Sequence, residues 1–148
     1  MRCVSKTRKL QVIQPVYSGR RIARPLFTSR VQAGFPSPAD DYMEGMLDLN
    51  KHLVKNPAAT FFIRVTGESM KGAGIFPDDL LIVDRSLEPE SGNVIIAVLD
   101  GELTVKRLWR HNGKVELRAE NPDFPTIRLA GTMELDIWGV VKHVIHSV

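Results

Sequence analysis

The chain has 148 residues, 43% hydrophobic and 25% charged, enough for one soluble domain with a single core plus an arm. No apolar run approaches the roughly 20 residues of a membrane helix, and no short apolar stretch follows basic residues as in a secretory signal. A single cysteine, Cys3, excludes an internal disulfide, so a protein of the reducing cytoplasm is expected.

The net charge of +3 is unevenly spread. Residues 1–33 carry eight Lys or Arg (Arg2, Lys6, Arg8, Lys9, Arg20, Arg21, Arg24, Arg30) and no Asp or Glu, whereas 34–148 carries twelve basic and seventeen acidic residues, a net of −5. Loss of the leader would invert the sign of the protein and its attraction to nucleic acid and other polyanions. An acid-free, Arg-rich leader is also the composition of an organellar transit peptide, but the residues that follow it carry a more specific message.

Residues 1–33 lack a sustained helical or strand period and are broken by Pro15, Gly19 and Pro25, which predicts an extended, flexible arm. Gly34-Phe35-Pro36-Ser37-Pro38 is a turn-rich joint, since proline disfavours helix at the residue before it. Met43 to Val54 predicts a helical turn or two, stopped at Asn56-Pro57. The later signals are β: Phe61 to Val65, Leu80 to Val83 after Pro77-Asp78-Asp79, then Val94 to Leu99 and Glu102 to Trp109. Asp100-Gly101 between the last two predicts a tight hairpin. His111-Asn112-Gly113 turns into Lys114 to Arg118, a loop follows at Asn121-Pro122 and Phe124-Pro125, and Ile137 to Ile145 is a closing strand. Many short strands with little helix predict a mostly β fold, a compact curled sheet.

Two places can carry chemistry. Gly67-Glu68-Ser69-Met70 is a small-residue turn after a strand, where a serine Oγ projects and backbone N–H groups can face an oxyanion. Thr104-Val105-Lys106-Arg107 lies on the outgoing strand of the hairpin, where alternation puts Thr104 and Lys106 on one face. A lysine flanked by Val105 and Leu108 lies against apolar surface, and desolvation lowers its pKa toward the range of a general base. Thr104 is placed to orient the amine.

Gly67-Glu68-Ser69-Met70, followed 37 residues after its serine by the lysine of Thr104-Val105-Lys106-Arg107, resembles the dyad of the LexA/UmuD family of serine–lysine self-cleaving peptidases. Phe76-Pro77-Asp78-Asp79-Leu80-Leu81-Ile82-Val83-Asp84 is similar to a family strand motif, and Asp136-Ile137-Trp138-Gly139-Val140-Val141 to its C-terminal strand. Val31-Gln32-Ala33-Gly34-Phe35-Pro36-Ser37-Pro38-Ala39 resembles the cleavage region of the UmuD-type branch, with the scissile bond at Ala33-Gly34. Small residues there suit a narrow cleft, and the prolines hold the chain extended. The resemblance spans about Pro25 to Val144 and leaves residues 1–24, a leader longer than is usual for the type, outside it.

The resemblance implies that Lys106 deprotonates Ser69, that Ser69 attacks the Ala33 carbonyl, and that the N–H groups of Glu68 and Ser69 hold the oxyanion. It implies an arm, 1–33, removed by self-cleavage from a peptidase and dimerisation domain, 34–148. Cleavage in such proteins belongs to the SOS response and is favoured by the activated RecA filament on single-stranded DNA. The trimmed homodimer then serves as accessory subunit to a UmuC-like Y-family catalytic subunit in error-prone translesion synthesis. No cofactor or metal is expected.

Other readings compete. The histidines His52, His111, His143 and His146 fall in no Ser/His/Asp pattern, and His143 with His146 lacks the ligands to complete a metal site. A LexA-like repressor needs a helix-turn-helix domain, for which 33 broken residues are too few, so direct DNA contact is weak at most. A signal peptidase, which shares the chemistry, needs a membrane anchor. Trp109 and Trp138 are expected in a core or interface rather than as base-stacking platforms. From another class altogether comes a dimeric partner-binding module whose dyad is idle.

Overall fold

The computed structural model describes residues 11–13, 21–27, 43–129 and 135–148. In chain order its strands are β1 (Gln11–Ile13), β2 (Ala23–Phe27), β3 (Met43–Asp48), β4 (Thr60–Arg64), β5 (Leu80–Asp84), β6 (Val94–Leu99), β7 (Glu102–His111), β8 (Lys114–Arg118), β9 (Ile127–Arg128) and β10 (Leu135–Ile145). One short helix, α1 (Leu49–Leu53), completes the set with two 3₁₀ turns, Pro57–Ala59 and Lys71–Ala73. The fold is mostly β. By internal contacts the chain divides into two units, 1–15 with 56–148, and 16–55.

The larger unit is an eight-stranded antiparallel sheet in the order β1-β4-β5-β10-β6-β7-β8-β9. β5 reads Leu-Leu-Ile-Val-Asp, and Leu81, Ile82 and Val83 are all buried, so this continuous apolar run is covered on both faces. Alternation along the other strands sorts the core into two clusters. Ile63, Val65, Met70, Ile75, Leu81, Val83, Ile96 and Val105 form one; Ile95, Ala97, Leu108, Leu117 and Val140 form the other. β10 pairs with β5 on one side and β6 on the other, with register shifts at Val141/His143 and Ile137/Gly139. Such bulges bend a strand and raise its twist.

The two tight hairpins form where the sequence places them. Asp100 and Gly101 have φ of 49° and 81°, and Asn112 and Gly113 have 48° and 74°. Two successive positive φ values give the turn whose twist matches that of the flanking strands. Leu99 pairs with Glu102, and His111 with Lys114, to close them.

Three stretches differ from expectation. Met43–Asp48 is strand rather than the start of a helix, because β2 offers it a main-chain partner from Ala23↔Asp48 to Phe27↔Met43. Helix begins only at Leu49, where the Asp48 side chain accepts from the N–H groups of Asn50 and Lys51. Within 1–33, where no strand period is legible, Gln11–Ile13 pairs with Phe62–Arg64 of β4, and Ala23–Phe27 pairs with β3. Ile127–Arg128, in the stretch after the Pro-punctuated loop, adds two residues to β8. All four strands, β1, β2, β3 and β9, are short segments held by their pairing partners rather than by their own periodicity. Cys3, the joint 34–38 and the bond between Ala33 and Gly34 lie outside the described residues. Among the described residues no helix is long and apolar enough to cross a membrane.

Gly139 sits where the middle of β10 crosses β5, and a Cβ there would lie 2.7 Å from Val83 Cγ1 and 3.3 Å from Asp84 O. Val83 is wholly buried and stiff at χ1, so it cannot step aside. Gly139→Ala is expected to cost about 1–3 kcal/mol by overpacking, read from the urea midpoint; an unchanged midpoint would mean the β5–β10 crossing yields.

Candidate active site

The serine loop runs from the end of β4 to the start of β5. Its base is closed by two main-chain bonds, Val65 N–H to Asp79 O at 2.9 Å and Asp78 N–H to Val65 O at 3.0 Å. Gly67 turns the chain with φ of 90°, a conformation L side chains resist. Met70 and Ile75, each 2% exposed, plug the loop into the first core cluster. Ser69 is thus next to an anchored residue and is itself only partly buried.

The lysine comes from the middle of β7. Lys106 pairs across the sheet with Ile95 and Thr104 with Ala97, and both partners are wholly buried. Cross-strand partners share a face, so the amine leaves an apolar patch continued by Leu108. Lys106 is 7% exposed, and burial pushes its pKa below the usual lysine range.

Its three hydrogen-bond partners are Ser69 Oγ at 3.1 Å, Thr104 Oγ1 at 3.1 Å and Val105 O at 3.0 Å. None is a carboxylate. Three oxygens match the three N–H groups of the ammonium, and loss of one proton leaves two N–H donors and one lone pair. The Val105 carbonyl can only accept, and Thr104 Oγ1 accepts the second N–H. Nζ also donates to Ser69 Oγ; in the neutral amine the lone pair would take that direction and accept from the hydroxyl.

Ser69 and Thr104 open onto a narrow cleft of about 80 Å³, also lined by Val65, Thr66, Gly67, Met70, Leu103 and Val105. The N–H groups of Glu68, Ser69 and Met70 find no acceptor among the described residues. The sequence-derived set of Ser69, Lys106 and Thr104 is therefore brought into direct contact, with Glu68 adjoining it, while Ala33 and Gly34 lie outside the described residues.

From its sequence Asn121-Pro122 is only a loop. In the structure this segment grips the serine loop from behind. Glu120 N–H donates to Ser69 O at 2.9 Å, Asn121 Nδ2 donates to Glu68 O at 2.9 Å, and Gly72 N–H donates to Glu120 O at 2.6 Å. A Cβ on Gly72 would collide with Glu120 O at 2.6 Å, so only glycine permits the approach. Arg107, next to Lys106, pairs with the Glu120 carboxylate and donates to Gly92 O at 2.7 Å.

The remaining candidates lie elsewhere. His146 Nδ1 is 3.8 Å from Asp79 Oδ2, and His52 and His111 are exposed. Among the described residues no three His, Cys, Asp or Glu cluster as metal ligands. Trp138 packs edge-on to Phe61 at 5.2 Å under the Arg85 guanidinium, while Trp109 is 38% exposed beneath Arg118.

Residues 25–142 match the Peptidase S24-like family. Protein ImpA of Salmonella typhimurium is 52% identical over 124 residues, 83% of both chains. Protein SamA of the same species is 45% identical over 138 residues, 93% of this chain and 96% of the relative. Protein MucA of Escherichia coli is 38% identical over 136 residues, 91% and 92% of the two. The chain belongs to the Peptidase S24-like family, as a UmuD-like member of its LexA/UmuD group.

The lysine pKa sets a stability signature. Folded Lys106 has a lowered pKa, so between the two values the unfolded chain binds more protons and stability at this position rises with pH. Lys106→Met is expected to be at least as stable as the parent near pH 7. The parent should gain on it as pH climbs toward the ordinary lysine range near about 10.4. Urea unfolding at about pH 7 and about pH 10 checks this, and a constant difference would show an amine that titrates normally.

Proposed function

We propose that this chain is a self-cleaving serine endopeptidase of the SOS response, in which Lys106 activates Ser69 to cut the Ala33–Gly34 bond. The observation that carries the reading is the 3.1 Å approach of a buried amine of lowered pKa to a loop hydroxyl at a narrow cleft. Membership of a peptidase family supports it.

The steps follow from the partners. The Lys106 lone pair takes the Ser69 proton as Oγ bonds to the Ala33 carbonyl carbon, and the N–H groups of Ser69 and Glu68 receive the oxyanion. Collapse breaks the C–N bond, and the ammonium returns its proton to the Gly34 nitrogen, leaving an Ala33 ester on Ser69. Water then attacks, giving its proton to Lys106, and the second collapse releases the Ala33 carboxylate while Ser69 Oγ regains a proton. Thr104 and the Val105 carbonyl hold the amine throughout. A tethered substrate reaches high effective concentration, so restraint is conformational and is lifted by the activated RecA filament on single-stranded DNA.

The cut separates 1–33 from 34–148. The leaving fragment carries β1 and β2, each bonded to a strand of the remainder, and takes with it all eight leader cations. The processed homodimer acts in the cytoplasm as accessory subunit of an error-prone translesion polymerase, beside a UmuC-like Y-family catalytic subunit. Cleavage can run between protomers.

Incubation of purified protein from about pH 7 to about pH 10, followed by intact mass, tests the reading. Products 1–33 and 34–148 are expected, at a rate that rises with pH to a midpoint below the ordinary lysine value, because the neutral amine is the active form. Ser69→Ala and Lys106→Ala should each lower the rate by at least about a thousandfold. Processing that persists in both variants would sink the dyad. No product even with activated RecA filaments would leave the idle partner-binding module as the better account. Thr104→Val, which removes one acceptor of the amine, should slow cleavage about 3- to 10-fold; an unchanged rate would show that Val105 O alone orients it.

A further inference from the structure

We infer that Asn121 is a positioning residue for the oxyanion donor at Ser69. Resting on the serine–lysine reading, the inference adds a part to the machinery that the dyad motif does not contain. The peptide group that matters joins Glu68 to Ser69. It is planar and trans, so its carbonyl and its N–H point in opposite directions. Asn121 Nδ2 donates to the Glu68 carbonyl at 2.9 Å, and Lys71 N–H reaches the same oxygen at a longer 3.3 Å. Holding that oxygen aims the Ser69 N–H away from the 120–121 segment. The next peptide is held likewise, with the Ser69 carbonyl accepting from Glu120 N–H at 2.9 Å. Neither Glu120 nor Asn121 lines the cleft, whereas Gly67, Ser69 and Met70 do. The freed N–H of Ser69, with no acceptor among the described residues, is left to the substrate oxygen.

The Asn121 amide is itself oriented. Its Oδ1 accepts from Asp123 N–H at 3.1 Å, and its own carbonyl accepts from Phe124 N–H at 3.1 Å. One end of the side chain being fixed as acceptor, the other end presents Nδ2 to Glu68. The segment is tied to the lysine strand through the Arg107–Glu120 pair. An oxyanion hole stabilises charge only if its dipoles are aimed before the reaction begins, and this pair of carbonyl clamps does that aiming without touching substrate.

The test uses the full chain with two variants. Asn121→Asp keeps size and the acceptor for Asp123 N–H but replaces the donor with an oxygen; Asn121→Ala removes both ends. Each is assayed for self-cleavage across pH, for phosphonylation of Ser69 by a small phosphonofluoridate, which needs the oxyanion hole but not the arm, and for thermal unfolding. The plateau rate of cleavage and the phosphonylation rate are expected to fall together by about 10- to 100-fold. That is less than the roughly 10²–10³ for deleting a donor, since the N–H remains and is only released to swing. The pH midpoint should stay at the parent value, because Lys106 keeps all its partners. Three results would overturn the inference: parental rates in the folded Asp variant, a loss in cleavage without a loss in phosphonylation, or a moved midpoint. Lys106→Ala, run alongside, reports on the dyad separately: if it retains both activities, the serine–lysine reading fails whatever Asn121 does.

Discussion

A lysine amine taken out of water is the constraint around which this site is organised. As a cation in an apolar surround it would destabilise the fold; as a neutral amine it is a base with a lone pair to direct. Ile95, Ala97 and Leu108 supply the dry face. Thr104 Oγ1 and Val105 O take up two of the amine's N–H groups, so the remaining direction is toward Ser69. The register of the β6–β7 hairpin decides this. A slip of one residue would turn Lys106 to the other face and put Val105 in its place, which is why the Asp100-Gly101 turn matters to chemistry a few residues away.

The serine side is held by a different device. Met70 and Ile75 pull the loop into the core from within, and the 120–121 segment clamps its carbonyls from without. Gly72 permits the second contact by having no side chain to collide with Glu120 O. The two halves are joined by Arg107, which follows Lys106 in sequence and pairs with Glu120. The Ser69 hydroxyl and the Lys106 amine are therefore positioned by one connected piece of structure, although they are 37 residues apart in the chain.

Residues 1–33 form the arm of the proposed cleavage. Two of its stretches are strands, paired through main-chain bonds to β4 and β3. Each pairing is short, three and five residues, and isolated pairs of that length are marginal in water. A covalent connection is what keeps such strands at high local concentration. The proposed cut between β2 and β3 would remove that advantage, and the charge carried away with residues 1–33 would change the sign of what is left.

Much of this was legible from sequence because local rules govern it. The strands Val94–Leu99 and Lys114–Arg118 and both tight turns follow from apolar runs and from Asp-Gly and Asn-Gly pairs. Alternation alone puts Thr104 and Lys106 on one face, and the motif spacing pairs Ser69 with that lysine. Two features stayed out of reach: strands β1 to β3, whose hydrogen bonds come from remote partners, and the grip of Asn121 and Glu120 on the serine loop. An asparagine before a proline reads as a turn wherever it occurs. What it donates to is settled only when the β8–β9 end of the sheet is folded against the loop after β4, since a side-chain hydrogen bond between residues 53 apart leaves no periodic trace. The sequence by itself determined which groups could react; the tertiary structure decided how far each is from water and where its donors and lone pairs point.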